Sequence, residues 1–131
     1  MTVKDSAGMP TERAWYKLKD VPEGAVLYES DLRIQVWAYT VTHSQLLLRG
    51  DTGSGRVDLL FKSVDAMTIG TSYDGLTVRR SPTGLHLETQ GRTDHVVAHA
   101  FGWLVDDGDL RMPSALAAYA SATDPDRVFG L

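Results

Sequence analysis

Four histidines, thirteen aspartates, four glutamates and no cysteine bound the chemistry open to this 131-residue chain. Without a thiol there is no disulfide framework, no thiolate metal site and no cysteine nucleophile. The most suggestive group is His95 with His99, beside Asp94. Residues four apart share a face on a strand and on a helix alike, so either geometry brings the two imidazoles together. With the Asp94 carboxylate they offer the donor set of a zinc or iron site, which needs a third ligand from elsewhere, His43 or His86 being the imidazoles that remain. The competing reading is a pair of histidines on a half-buried sheet face near Phe101 and Trp103.

Three other clusters invite chemistry and have structural explanations. His43-Ser44 pairs an imidazole with a hydroxyl. Adjacent residues on a strand point to opposite faces, so the pair suits a turn better than a nucleophile and its base. Gly50 to Gly55 has the glycines of a phosphate-binding loop but no following Gly-Lys-Ser/Thr, and a strand, not a helix, comes next. It reads as a hairpin tip. Asp106-Asp107-Gly108-Asp109 lacks the alternate spacing and later glutamate of a calcium loop, and reads as a solvated turn.

The strongest lead is aromatic. Arg33, Gln35, Trp37 and Tyr39 alternate along one run, placing Trp37 and Tyr39 on a shared face as a candidate partner-binding patch with Arg33. Charge limits the partner. Seventeen acids against thirteen bases give a net charge of −4, and the densest basic cluster is the pair Arg79-Arg80. A phosphate-gripping surface needs more, so neither nucleic acid nor an anionic membrane is expected as partner. No apolar run is long enough to span a bilayer. With no secretory h-region at its N-terminus either, the chain is expected to be cytoplasmic. The preference for Arg over Lys and Asp over Glu, with no Asn, suggests GC-rich coding and a bacterial source.

The elements that must position these residues are mostly strands. Residues 1–12 read as a flexible tail, and 13–131 as one β-rich domain. Arg13 to Leu18, Leu32 to His43 (with a bend or bulge near Trp37), Gln45 to Arg49, Arg56 to Lys62, Ala66 to Tyr73, Leu76 to Arg80 and the run from Leu85 all show β composition or alternation. In Arg56 to Lys62, Val57, Leu59 and Phe61 point inward, and Asp58 and Lys62 outward. Asp74-Gly75 reads as a two-residue hairpin turn. His95 to Val105 is assigned as strand, since its branched and aromatic residues outweigh its alanines and Gly102 disfavours a helix. Residues 113–122 carry an apolar helical stripe with Met112, Leu116, Tyr119 and Ala120. The expected class is α+β, mainly β: a strongly bent antiparallel sheet or partly open barrel closed by one C-terminal helix.

Tyr39 to Gly50, Arg56 to Met67 and Asp74 to Arg80 together resemble bacterial pleckstrin-homology-like domains. In that family a T-x-x-x-L strand, a polar hairpin loop, an I-x-x-V strand and a G-L-x-I strand follow one another. The matching residues are Thr42 with Leu46, Val57 with Val64, and Gly75 with Leu76 and Val78, over about half the chain. The family also ends in a single helix. Its phosphoinositide-binding members use several Lys and Arg in the first hairpin loop, whereas these loops carry Asp51, Asp74 and Asp94. The resemblance therefore implies an adaptor that binds protein or peptide.

The functional expectation is a non-catalytic interaction domain, of adaptor or immunity-inhibitor type, with no cofactor. It would recognise another protein or pair with itself as a homodimer. The alternatives are a small barrel metalloenzyme using His95 and His99, and a carrier of an apolar ligand lined by Leu59, Phe61, Met67 and Ile69.

Overall fold

A computed structural model describes residues 12–111. These form nine strands in one antiparallel sheet: β1 (Glu12–Lys17), β2 (Val26–Thr40), β3 (Gln45–Asp51), β4 (Arg56–Lys62), β5 (Ala66–Thr68), β6 (Ser72–Arg80), β7 (Leu85–Thr89), β8 (Arg92–Val97) and β9 (Ala100–Asp106). The order of hydrogen-bonded neighbours is β1-β9-β4-β3-β2-β6-β7-β8-β5, so the sheet is open, with β1 and β5 at its ends.

Alternation decides which side chains turn inward. Leu46 and Leu48 on β3, Val57, Leu59 and Phe61 on β4, Leu76 and Val78 on β6, Leu85 and Leu87 on β7, and Val96 on β8 join a single buried cluster. One face can place strands so far apart in the order around one core only if the sheet bends strongly. Two features make the bend. The ladder of β4 with β9 (Lys62 opposite Ala100) runs on, one residue out of step, into that of β5 with β8 (Ala66 opposite Val97). Both chains turn there, at 63–65 and 98–99, with Ser63 at a left-handed φ of 55°. Across the interior, the Trp103 indole on β9 donates to the Leu27 carbonyl on β2 at 3.0 Å.

The α+β expectation is corrected to mainly β. Among the described residues the only helical pieces are two three-residue 3₁₀ turns, Leu18–Asp20 and Val41–His43. The described residues form an open nine-stranded sheet, and the core they share is enclosed by the sheet's own curvature. The segments expected as tail (1–12) and as helix (113–122) lie outside the described residues, except Glu12, which opens β1. No described helix is long and apolar enough to cross a membrane.

Other expectations hold or shift locally. The strand assignment of His95 to Val105 is correct, interrupted at Ala98–His99. A register shift lies between Val36 and Ala38, where a bulge near Trp37 was expected. Asp74-Gly75 is no hairpin turn. It sits inside β6, opposite a register shift between Ser30 and Arg33 of β2, and Gly75 takes φ +83° there. Only glycine adopts that backbone cheaply, and a bulge requires it as much as a turn does.

Candidate functional site

The face of β3 and β4 turned away from the core holds a buried ion pair. Arg49 and Asp58 sit opposite each other in the hairpin ladder. Arg49 donates from Nε and Nη2 to the two Asp58 carboxylate oxygens at 2.6 and 3.1 Å, and both side chains are only 1% exposed. The chain beyond β9 folds back over this face. Arg56, paired with Asp106 at 2.9 Å, donates to the Asp109 carbonyl, and Arg49 donates to the Leu110 carbonyl at 2.6 Å. Asp58, assigned to solvent from its alternation, is corrected to fully buried. A facing Arg and Asp symmetric about the loop at 52–55 was the readable signal, and it depends on the register.

That pair supports the aromatic patch. The Arg49 guanidinium lies 5.2 Å from the centroid of the Trp37 ring, so a cation fixed by two carboxylate contacts backs an indole whose other side reaches solvent. Trp37 is 43% exposed, Tyr39 40% and Val41 78%. The expected shared face of Trp37 and Tyr39 is corrected: the register shift between Val36 and Ala38 leaves Trp37 over Arg49 and turns Tyr39, opposite Leu46, to the other side of the strand. The patch stands where β2 loses one neighbour. Pairing with β6 ends at Gln35 opposite Ser72, the last contact on that side being Val36 N–H to the Thr71 carbonyl. From Trp37 to Thr40, β2 pairs with β3 alone among the described strands, and residues 37–43 are all exposed. The hairpin overhangs the sheet and offers an open backbone edge. Its tip is the 3₁₀ turn Val41–His43, closed by Ser44 at φ 50°, so His43 and Ser44 form the turn expected of them.

Arg33 lies four residues earlier, where β2 pairs with β6, and its guanidinium is engaged by Asp74 at 2.8 Å and Ser72 at 3.4 Å. It is exposed but belongs to the β2–β6 face, about 13 Å down the strand from Trp37 at roughly 3.3 Å per residue.

The candidate metal ligands are placed apart. Asp94 turns inward, where its carboxylate accepts from the Tyr73 hydroxyl at 2.8 Å and the Gly70 N–H at 3.0 Å, with Arg92 3.3 Å away. His95, the next residue on β8, faces outward and meets the His86 ring edge-on at 4.5 Å. His99, beyond the break between β8 and β9, pairs instead with Asp65 at 3.2 Å. The interruption at 98–99 undoes the four-residue spacing that would have joined the imidazoles. Among the described residues no three His, Asp or Glu side chains are grouped to hold a metal.

The Tyr73–Asp94 contact is a core feature. Burial first, then the hydrogen bond to Asp94 and its negative charge, push the Tyr73 hydroxyl up to about 12. Of the proposed ligand-carrier lining, Leu59 and Phe61 are fully buried in the core, Ile69 packs at its margin, and Met67 on β5 is exposed.

The described residues also form a surface cleft of about 380 Å³ where Val26 to Ser30 of β2 approach Trp103 and Val105 of β9, beside the Tyr28–Trp103 edge-to-face pair. Comparison of the chain with protein-family models, with curated proteins and with solved structures returns no match.

Proposed function

We propose that this chain is a non-catalytic protein-interaction domain whose contact surface is the overhanging end of β2, centred on Trp37 and Tyr39. The observation that carries the reading is the support under Trp37. Exposed tryptophans are costly to leave in water, and this one is held in place by an arginine that is itself locked in a buried ion pair. A rigid aromatic anchor loses little conformational freedom on binding, which is what interface hot spots exploit. Tyr39, on the other side of the strand, and Val41 add exposed apolar surface at the same strand end, and among the described strands the backbone from Trp37 to Thr40 pairs with β3 alone. The resemblance of residues 39–50, 56–67 and 74–80 to bacterial pleckstrin-homology-like domains, which implies an adaptor, fits the same reading.

The test compares immobilised wild-type chain with a Trp37→Ser/Tyr39→Ser double variant of unchanged melting temperature, each exposed to lysate of the source cells. The reading expects a protein retained by the wild type and lost, at least tenfold, by the variant. Equal retention by both, or none by either, overturns it.

A further inference from the structure

The cleft beside Trp103 exists because β2 leaves a neighbour. The strand pairs with β3 only from Ile34, opposite Gly50, onward, and from Val26 to Ser30 it pairs with β6 alone among the described strands. The inner side of β9 and β4 therefore stands apart from the start of β2, and the Trp103 indole bridges the gap to the Leu27 carbonyl. The opposite wall is fixed as well. The Tyr28 hydroxyl donates to Ser30 Oγ at 2.7 Å, and the Tyr28 and Trp103 rings meet edge to face with centroids 5.8 Å apart. At about 380 Å³ the cleft has room for a small ligand.

Its one unusual group is Glu12. Period-two alternation puts Glu12 on the same side of β1 as Tyr16, which packs against the core. Two rows of facing residues cross that inner side, Ala14–Trp103–Leu59 and, toward the open end, Glu12–Val105–Val57. The first is apolar throughout, and the second ends on a half-buried carboxylate. Among the described residues no Lys, Arg or His lines the cleft with it. The other acid there, Glu29, accepts from the Thr77 hydroxyl at 3.1 Å, whereas Glu12 meets no donor among the described residues.

We propose that this cleft binds a small organic cation, a protonated amine carried on a short apolar body. The ammonium pairs with the Glu12 carboxylate, and the body lies against Trp103 and Tyr28. A carboxylate partly withdrawn from water holds a cation more strongly than an exposed one, and a charge-assisted hydrogen bond adds to the pair. The aromatic walls favour the same sign of charge, because the faces of indole and phenol rings attract cations. An anion is opposed by both carboxylates, and a neutral ligand leaves Glu12 without a partner. The hydrogen bonds of Trp103 and Tyr28 hold the walls in place beforehand, so little is lost in ordering them. The cleft lies at the start of β2 and Trp37 beyond its middle, and the two sites are independent.

Heteronuclear NMR titration of the full chain near neutral pH tests it, with phenethylamine as the cationic probe, protonated there. Phenethyl alcohol and hydrocinnamate are the neutral and anionic probes of similar shape. The expected result is a saturable shift of the Trp103 indole N–H and the 27–32 amides by the amine, with an affinity about tenfold or more above that of the alcohol. Hydrocinnamate should shift neither. Glu12→Gln, at unchanged melting temperature, should bring the amine down to the affinity of the alcohol and leave the alcohol where it was. Equal affinity for amine and alcohol in the wild type overturns the inference, and that comparison stands whether or not the variant folds. So does amine binding undiminished in a folded Glu12→Gln, shifts confined to the surroundings of Trp37, or no saturation by about 10 mM amine.

Discussion

At the scale of the residue, the weightiest atoms are those of Arg49 and Asp58. Two ions at 1% exposure survive in a sheet face because each satisfies the other bidentately and Arg49 also meets the Leu110 carbonyl. Removing one partner is worse than removing both. Asp58→Ala should cost about 3–5 kcal/mol in urea unfolding, whereas Arg49→Met/Asp58→Leu should cost distinctly less. If the pair were merely decorative, the single change would cost less than 1 kcal/mol. A second residue-scale prediction concerns Tyr73, whose hydroxyl is raised from 10 to about 12. Its folded value lies above the unfolded one, so its contribution is complete below pH 10 and is lost as pH climbs through 12. Tyr73→Phe should therefore lower stability at pH 8, by loss of the Asp94 hydrogen bond, while flattening the alkaline fall between pH 10 and 12. Denaturant midpoints across that range decide it.

At the scale of the element, β1 is held to β9 through a close approach. Trp15 lies opposite Gly102, and a Cβ built there would come within 2.4 Å of the indole. Gly102→Ala should displace the ring and loosen β1, costing about 1–3 kcal/mol. Hydrogen exchange should then quicken in the amides joining β1 to β9 and leave β6 and β7 unchanged. Uniform quickening would mean that β1 is not a separable element. Elements were the most legible part of the sequence, because a period of two in Val57, Leu59 and Phe61, or in Leu85 and Leu87, is set locally by half-burial. What depends on register was not legible. Asp74-Gly75 has the same composition whether its left-handed glycine makes a turn or a bulge. Asp58 looks outward in any strand, and only the pairing with Arg49 reveals why that position is dry. His95 and His99 look like neighbours until the break at 98–99 is known. Trp37 was identifiable as a surface candidate from its alternation, but the cation beneath it was not.

At the scale of the whole molecule, a single interior ties β2, β3, β4, β6, β7, β8 and β9 together, and Trp103 spans it to the Leu27 carbonyl. A shared core makes unfolding all-or-none. Circular dichroism at the strand band and intrinsic fluorescence should give coincident urea transitions, and Leu59→Ala, at 0% exposure, should lower both together by about 2–5 kcal/mol. Separated transitions would divide the sheet into independent parts. The three tryptophans also differ in setting. Trp15 and Trp103 are half-buried, and Trp37 alone stands exposed. Dissolved iodide or acrylamide should therefore dim one emitter well before the other two, and that emitter sits on the overhanging hairpin. The chain carries its own optical gauge of that surface, legible without any label.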